Sequence, residues 1–210
     1  MHATTTLLTS TTSRQPRNFR WRVVDIVIAS VIGVASGLIF VVWNQAYNPL
    51  SGVLTPLLPG LQALLGGGWL FAGVLGGLII RKPGAALYTE LLAAVVSTLV
   101  GGTAWGATIL VSGLVQGLGA ELVFALFFYA NYRLVVALLA GAGAGLALAV
   151  NDLLLWYPGS AVPFITIYTA SSIVSGIVVA GLLSWLAMRG LARTGALSRF
   201  AAGRSNRTQV

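Results

Sequence analysis

The chemistry open to this chain starts from a few polar side chains set in apolar sequence. Within 106–133, GATILVSGLVQGLGAELVFALFFYANYR, Gln116 and Glu121 interrupt an almost unbroken apolar run that ends on Arg133. A carboxylate near the middle of a bilayer costs roughly 2.5–3.5 kcal/mol even on insertion scales, so such an acid faces a cavity or a partner rather than lipid. Glu121 is therefore the leading candidate for ligand contact. Gln116 lies five residues earlier, about 140° round an ideal helix. The intervening Gly117 and Gly119 are read as loosening the turn enough for both side chains to reach one cavity.

Further polar and aromatic residues map toward the same half of the membrane. Measured from the inner boundary at about 1.5 Å per residue, Glu90 sits roughly 12 Å up its helix, Glu121 roughly 18 Å and Asn151 with Asp152 roughly 28 Å. Trp43, Asn44, Gln45, Tyr47, Trp69, Trp105, Trp156, Tyr157 and Tyr168 fall in the outer half or at its rim. One reading is an aromatic belt at the interface. The other is a pocket in which rings stack on a flat, nitrogen-containing ligand, carboxylates pair with its charge and amides orient its heteroatoms. The expected binding set is Glu121, Gln116, Trp43, Asn44, Trp69, Glu90, Trp105, Asn151, Asp152, Trp156 and Tyr168. Glu90 has three readings: pocket floor, partner of Arg133, or a protonated, hydrogen-bonded acid. Asp25 reads as a helix-start acid at the membrane surface.

The elements that must hold these groups follow from composition. Of 210 residues, 57% are hydrophobic and only 8% charged, against roughly 25% charged in soluble domains. At about 20 apolar residues per span, this predicts an all-α, polytopic membrane protein: a six-transmembrane-helix bundle over 21–190. A basic leader, 1–20, and a basic tail, 191–210, flank it. The expected spans are 23–44, 61–80, 85–103, the central stretch down to 133, 134–156 and 163–188. Pro49, Pro56 and Pro59 predict a partly buried outer loop or half-helix over 45–60 instead of a clean span, able to act as a lid. With six spans all twelve basic residues fall on one side, which places both termini in the cytoplasm and the protein in the cell membrane.

Several functions are excluded. The chain has no cysteine, and its single histidine, His2, lies in the polar leader; cysteine and histidine metal sites are absent and no cofactor is expected. The net charge of +8 marks the ends of apolar runs, so it reads as orientation and not as nucleic-acid binding. Lys82, the only lysine, precedes Pro83 outside any glycine-rich phosphate loop, which excludes ATP binding through a Walker A motif. No serine has a buried base, and paired intramembrane aspartates are lacking, so no catalytic residue is expected. Energy for transport must come from elsewhere.

Ala29, Gly33 and Gly37 form a small-residue ridge at spacing four on the first helix. Such ridges let membrane helices approach closely, either inside the bundle or against a partner. The segments RWRVVDIVIASVIGVASGLIFVVWN, RKPGAALYTELLAAVVSTLVGG and GLVQGLGAELVFALFFYANYR together resemble the integral membrane S components of energy-coupling factor (ECF) vitamin transporters. Within that family the chain is most similar to the subgroup associated with thiamine or its hydroxymethylpyrimidine precursor. The resemblance implies a six-helix subunit that captures a vitamin from outside and works with a transmembrane coupling (T) protein and two ATPases. It implies that Ala29, Gly33 and Gly37 contact the coupling protein. It also implies a ligand site drawn from Trp43, Trp69, Trp105, Tyr168, Asn151 and Glu121, without the histidine some relatives use. The alternative from another class is a self-sufficient proton-coupled transporter or channel, with Glu90 and Glu121 as coupling groups.

Overall fold

Apolar runs of this length, with no water to satisfy their backbone, close their hydrogen bonds within helices. A computed structural model describes residues 19–101, 105–197 and 202; the basic leader and most of the basic tail lie outside the described residues. The elements are α1 (Val23–Leu57), a 3-10 turn (Leu61–Gly66) leading into α2 (Gly67–Ile80), α3 (Ala85–Gly101), α4 (Thr108–Leu126), α5 (Leu134–Leu155) and α6 (Val162–Ser175). α6 continues through a π-helical stretch (Gly176–Leu183) into α7 (Ser184–Arg193). Five of the resulting rods are long and apolar enough to cross a membrane, and α3 is a sixth, shorter apolar helix. The described residues contain no strand. The fold is the expected six-helix bundle.

Two boundaries differ from expectation. α1 runs unbroken for 35 residues with Pro49 and Pro56 inside it, so 45–57 is helix and not a loop lid. Each proline removes one backbone hydrogen bond, but both are exposed, which leaves the freed carbonyls accessible. The hydroxyls of Ser51 and Thr55 donate back to the carbonyls of Asn48 (3.0 Å) and Ser51 (2.8 Å), holding the helical turn between the prolines. α4 stops at Leu126, well short of Arg133, because Phe128 and Tyr129 adopt positive φ (52° and 51°) and turn the chain.

The ends of the bundle are fastened differently. At the end bearing Arg22, Arg81 and Lys82, buried Asp25 caps its own helix by accepting from the Arg22 backbone (2.9 Å). Its side chain pairs with the Arg22 guanidinium (2.8 Å) and Lys82 Nζ (2.6 Å). The carboxylate beside it holds the Arg22 guanidinium above its ordinary pKa, chiefly through their hydrogen bond. Trp21 Nε1 donates to the Pro83 carbonyl (3.0 Å), so the start of α1 is tied to the turn between α2 and α3.

Along the bundle, small residues set helix spacing. A Cβ on Gly141 of α5 would collide with the Gly176 carbonyl oxygen. The π-helical stretch packs against α5 there. Two serines bracket it: Ser175 donates to the Leu64 carbonyl and accepts from Gly67 N (2.9 Å), and Ser184 donates to the Phe71 carbonyl (3.3 Å).

Candidate functional site

At the end away from Lys82, α1, α2, α3, α4, α5 and α6 enclose a cavity of about 290 Å³. Helical periodicity builds its walls. Residues three, four and seven apart share a face, and the lining follows that rule: Phe40, Asn44, Tyr47 and Asn48 from α1; Glu90, Ala94 and Ser97 from α3; Ile109, Ser112, Gly113 and Gln116 from α4. α5 adds Leu148 and Asp152, with Trp156 and Tyr157 at its end, and α6 adds Tyr168. Trp69 of α2 and Trp105, just before α4, complete it. The exposed Asn48 and Trp156 lie at its rim.

One side of the cavity is a box of rings. Trp69, Tyr47 and Trp105 contact one another with centroids 5.0, 5.6 and 5.9 Å apart, tilted or edge-on. Asn44 fixes this box: its Oδ1 accepts from Trp69 Nε1 (2.8 Å) while its Nδ2 donates to Ser97 Oγ (3.0 Å). A second ring pair, Tyr157 and Tyr168, lies at 5.3 Å near the mouth.

The polar groups differ in how much bonding capacity they keep. Asp152 is held by both oxygens: Tyr168 OH donates to Oδ2 (2.7 Å) and Asn151 Nδ2 to Oδ1 (3.0 Å). Glu90, fully buried at its base, accepts from the Gly73 backbone N–H through Oε2 (2.6 Å). Its Oε1 accepts no hydrogen bond among the described residues. The Gln116 amide, 6% exposed, makes no side-chain hydrogen bond among them either. Gln116 lines the cavity, so its amide is free to bond a guest there.

The sequence and fold are those of a known group. A family described as "ABC-type cobalt transport system, permease component" matches residues 24–147. A curated protein of Bacillus subtilis (strain 168), named HMP/thiamine permease protein YkoE, is 36% identical over 185 residues, which is 88% of this chain and 91% of that one. A crystal structure of an S-component of an ECF transporter superposes with a TM-score of 0.83 at 34% identity, covering 90% of this chain and 95% of that chain. The chain belongs to the S components of ECF transporters. It is a multi-pass membrane protein.

In this S component the cavity gathers Gln116, Asn44, Trp69, Glu90, Trp105, Asp152, Trp156 and Tyr168 from the expected set. Three expected residues stand elsewhere. Glu121 is the main correction. Its carboxylate accepts from the backbone N–H groups of Gly84 (2.6 Å), Ala86 (2.9 Å) and Leu87 (3.3 Å) and from Tyr129 OH (2.8 Å), so it caps the start of α3 at the Lys82 end. Burial, then the bond to Glu121, raises the Tyr129 phenol above its ordinary pKa and keeps it a donor. With α4 ending at Leu126, Glu121 lies only about 7.5 Å from that end. The angle of about 140° from Gln116 turns the two side chains to different sites.

Trp43 packs over Gly68 and donates to the Leu65 carbonyl (3.0 Å) outside the cavity. Asn151 stands behind the wall, donating to Ser112 Oγ (3.0 Å) and Asp152. Glu90 is part of the floor and bonds Gly73 instead of Arg133.

The ridge of α1 also departs from expectation. Ala29, Gly33 and Gly37 are buried within the subunit. A Cβ on Gly33 would meet Leu92 at 3.0 Å, and one on Gly37 would meet Val96 at 2.6 Å and the Ala93 carbonyl at 2.8 Å. The ridge is what lets α1 and α3 approach, so it is not available to a coupling protein. The lining residues Ser97 and Ser112 were absent from the expected set, yet they lie seven residues after Glu90 and four before Gln116. The shared-face rule would have found both.

Proposed function

We propose that this S component is the substrate-binding subunit of an ATP-driven ECF importer, and that it captures thiamine or its hydroxymethylpyrimidine precursor. The observation that carries the reading is the pairing of a ring-lined cavity with unused polar groups. The box of Trp69, Tyr47 and Trp105 suits a flat heteroaromatic ring. Beside it, Gln116 and Glu90 Oε1 offer a donor and acceptors to ring nitrogens and an exocyclic amine. Asp152 near the mouth supplies a fixed anion for a cationic ring. The volume is near the lower end for small-molecule sites, roughly 300 Å³, and so favours a one- or two-ring guest.

The name of the Bacillus subtilis relative points the same way. Cobalt, named in the family description, fits the cavity less well: among the described residues no three His, Cys, Asp or Glu side chains come together. In this reading the basic end faces the cytoplasm and the cavity opens outside. A coupling protein and two ATPases supply the energy. With the small-residue ridge turned inward, a coupling contact on α1 falls on its exposed face, which includes Val27, Val31, Val34 and Leu38. The proton-coupled alternative needs Glu90 and Glu121 in one relay, and Glu121 is engaged elsewhere by four donors.

Calorimetry on the purified protein against thiamine, hydroxymethylpyrimidine, riboflavin and biotin tests the assignment. Tight binding of one of the first two is expected. Preference for riboflavin or biotin, or uptake by the protein alone in liposomes under a proton gradient, would overturn it.

A further inference from the structure

The cavity offers an anion no cationic partner. Its lining contains two carboxylates, Glu90 and Asp152, and no arginine or lysine. The cations of the described residues are gathered at the other end: Lys82 and Arg22 on Asp25, Arg81 over the Tyr132 ring (4.9 Å) and Arg189 over the Trp185 ring (4.6 Å). The carboxylates are also at opposite ends of the cavity. Glu90 is five residues into α3 from the basic end, about one and a half turns, whereas Asp152 is on the last turn of α5.

The start of α4, a place where the other common anion cradle could form, is closed. α4 begins beside the mouth, but its first amides already donate to turn carbonyls: Ile109 N to Gly106 (3.4 Å) and Leu110 N to Ala107 (3.0 Å).

From this arrangement we infer that the cavity admits the free alcohol of its ligand and rejects the phosphate ester, with Asp152 as the specificity-determining residue. The inference rests on the thiamine or hydroxymethylpyrimidine reading. A phosphomonoester carries a charge of about −1.5 to −2 at neutral pH. Deep in the cavity a phosphoryl group would give up water for a wall without a cation, and at the mouth it would lie beside Asp152. Like charges in a poorly solvated site repel far more strongly than in water, and Asp152 cannot swing clear. Asp152 is pinned through both oxygens by Tyr168 and Asn151, and Glu90 is anchored on Gly73. Asn151 is thus a positioning residue that acts through Asp152. A phosphorylated precursor would first need hydrolysis, in which water adds across the P–O bond to give the free alcohol and inorganic phosphate. Phosphoester hydrolysis therefore lies upstream of this subunit.

The experiment compares affinities of the purified full chain for thiamine against thiamine monophosphate, and for hydroxymethylpyrimidine against its phosphate, by calorimetry. Each ester is expected to bind at least about tenfold more weakly than its parent, and Asp152→Asn to narrow that ratio, whereas Glu90→Gln weakens parent and ester alike. The ratio is informative because general damage to the pocket weakens parent and ester alike. Asn at 152 keeps an oxygen to accept from Tyr168. Equal binding of parent and ester by the unaltered protein overturns this inference alone. Discrimination that persists unchanged in Asp152→Asn overturns the role of that carboxylate. Binding of neither parent nor ester overturns the substrate reading and this inference together.

Discussion

Glu90 and Glu121 sit on facing helices, both buried, and they end up doing different work. Glu121 meets four donors, three of them the amides that open α3, and so completes a backbone that would otherwise lack acceptors. Glu90 meets one amide and keeps an oxygen toward the cavity. An acid buried in a membrane protein is thus not by itself a ligand site; what distinguishes the two is unused bonding capacity facing a hollow.

The largest effect is expected from Glu121→Ala. It strands three amides and a phenol, at about 1–3 kcal/mol for each group left buried and unpaired. Thermal unfolding in detergent should show a loss of ~3 kcal/mol or more. A protein that unfolded normally but no longer bound ligand would return Glu121 to the site.

Next comes Gly37→Leu, which drives a side chain into Val96 and the Ala93 backbone. The expected cost is about 1–3 kcal/mol of stability, read from the same unfolding curves. Were stability intact and only assembly with a coupling protein lost, the ridge would have to face outward after all.

Glu90→Gln sharpens the comparison from the other side. It keeps an oxygen for Gly73 but replaces the oxygen facing the cavity with an amide nitrogen, so we expect ligand affinity to fall about tenfold, near 1.4 kcal/mol, with little change in unfolding temperature. An unaltered affinity would remove Glu90 from the binding role. The smallest effect belongs to Val31→Phe on the exposed face of α1, 57% exposed: no measurable change in folding or ligand affinity, with any loss confined to assembly assays.

The bundle was legible because its signals are long. Apolar runs spaced by Arg81-Lys82 and Arg133 fix the number of crossings whatever the detail of each end. The aromatic box was legible as composition, since Tyr47, Trp69 and Trp105 all mapped to one half of the membrane. Glu121 was misplaced by a ruler laid along helix to Arg133: Phe127–Tyr129 carry no glycine or proline to announce the turn that ends α4 at Leu126. Pro49 and Pro56 misled in the opposite sense, announcing a break where exposed carbonyls and the hydroxyls of Ser51 and Thr55 let the helix continue. The direction of the α1 ridge was invisible, because close approach demands small residues whichever helix is approached.

The π-helical stretch bears on how α6 and α7 grip their neighbour. Ser175 and Ser184 are nine residues apart, which at 3.6 residues per turn puts them about half a revolution out of phase. A regularly wound rod could therefore show only one hydroxyl to α2 and the turn before it. The slacker winding between them, with its i→i+5 bonds, takes up the mismatch like an offset gear and lets both engage. The same residues rewound at ordinary pitch would turn one serine away from its carbonyl.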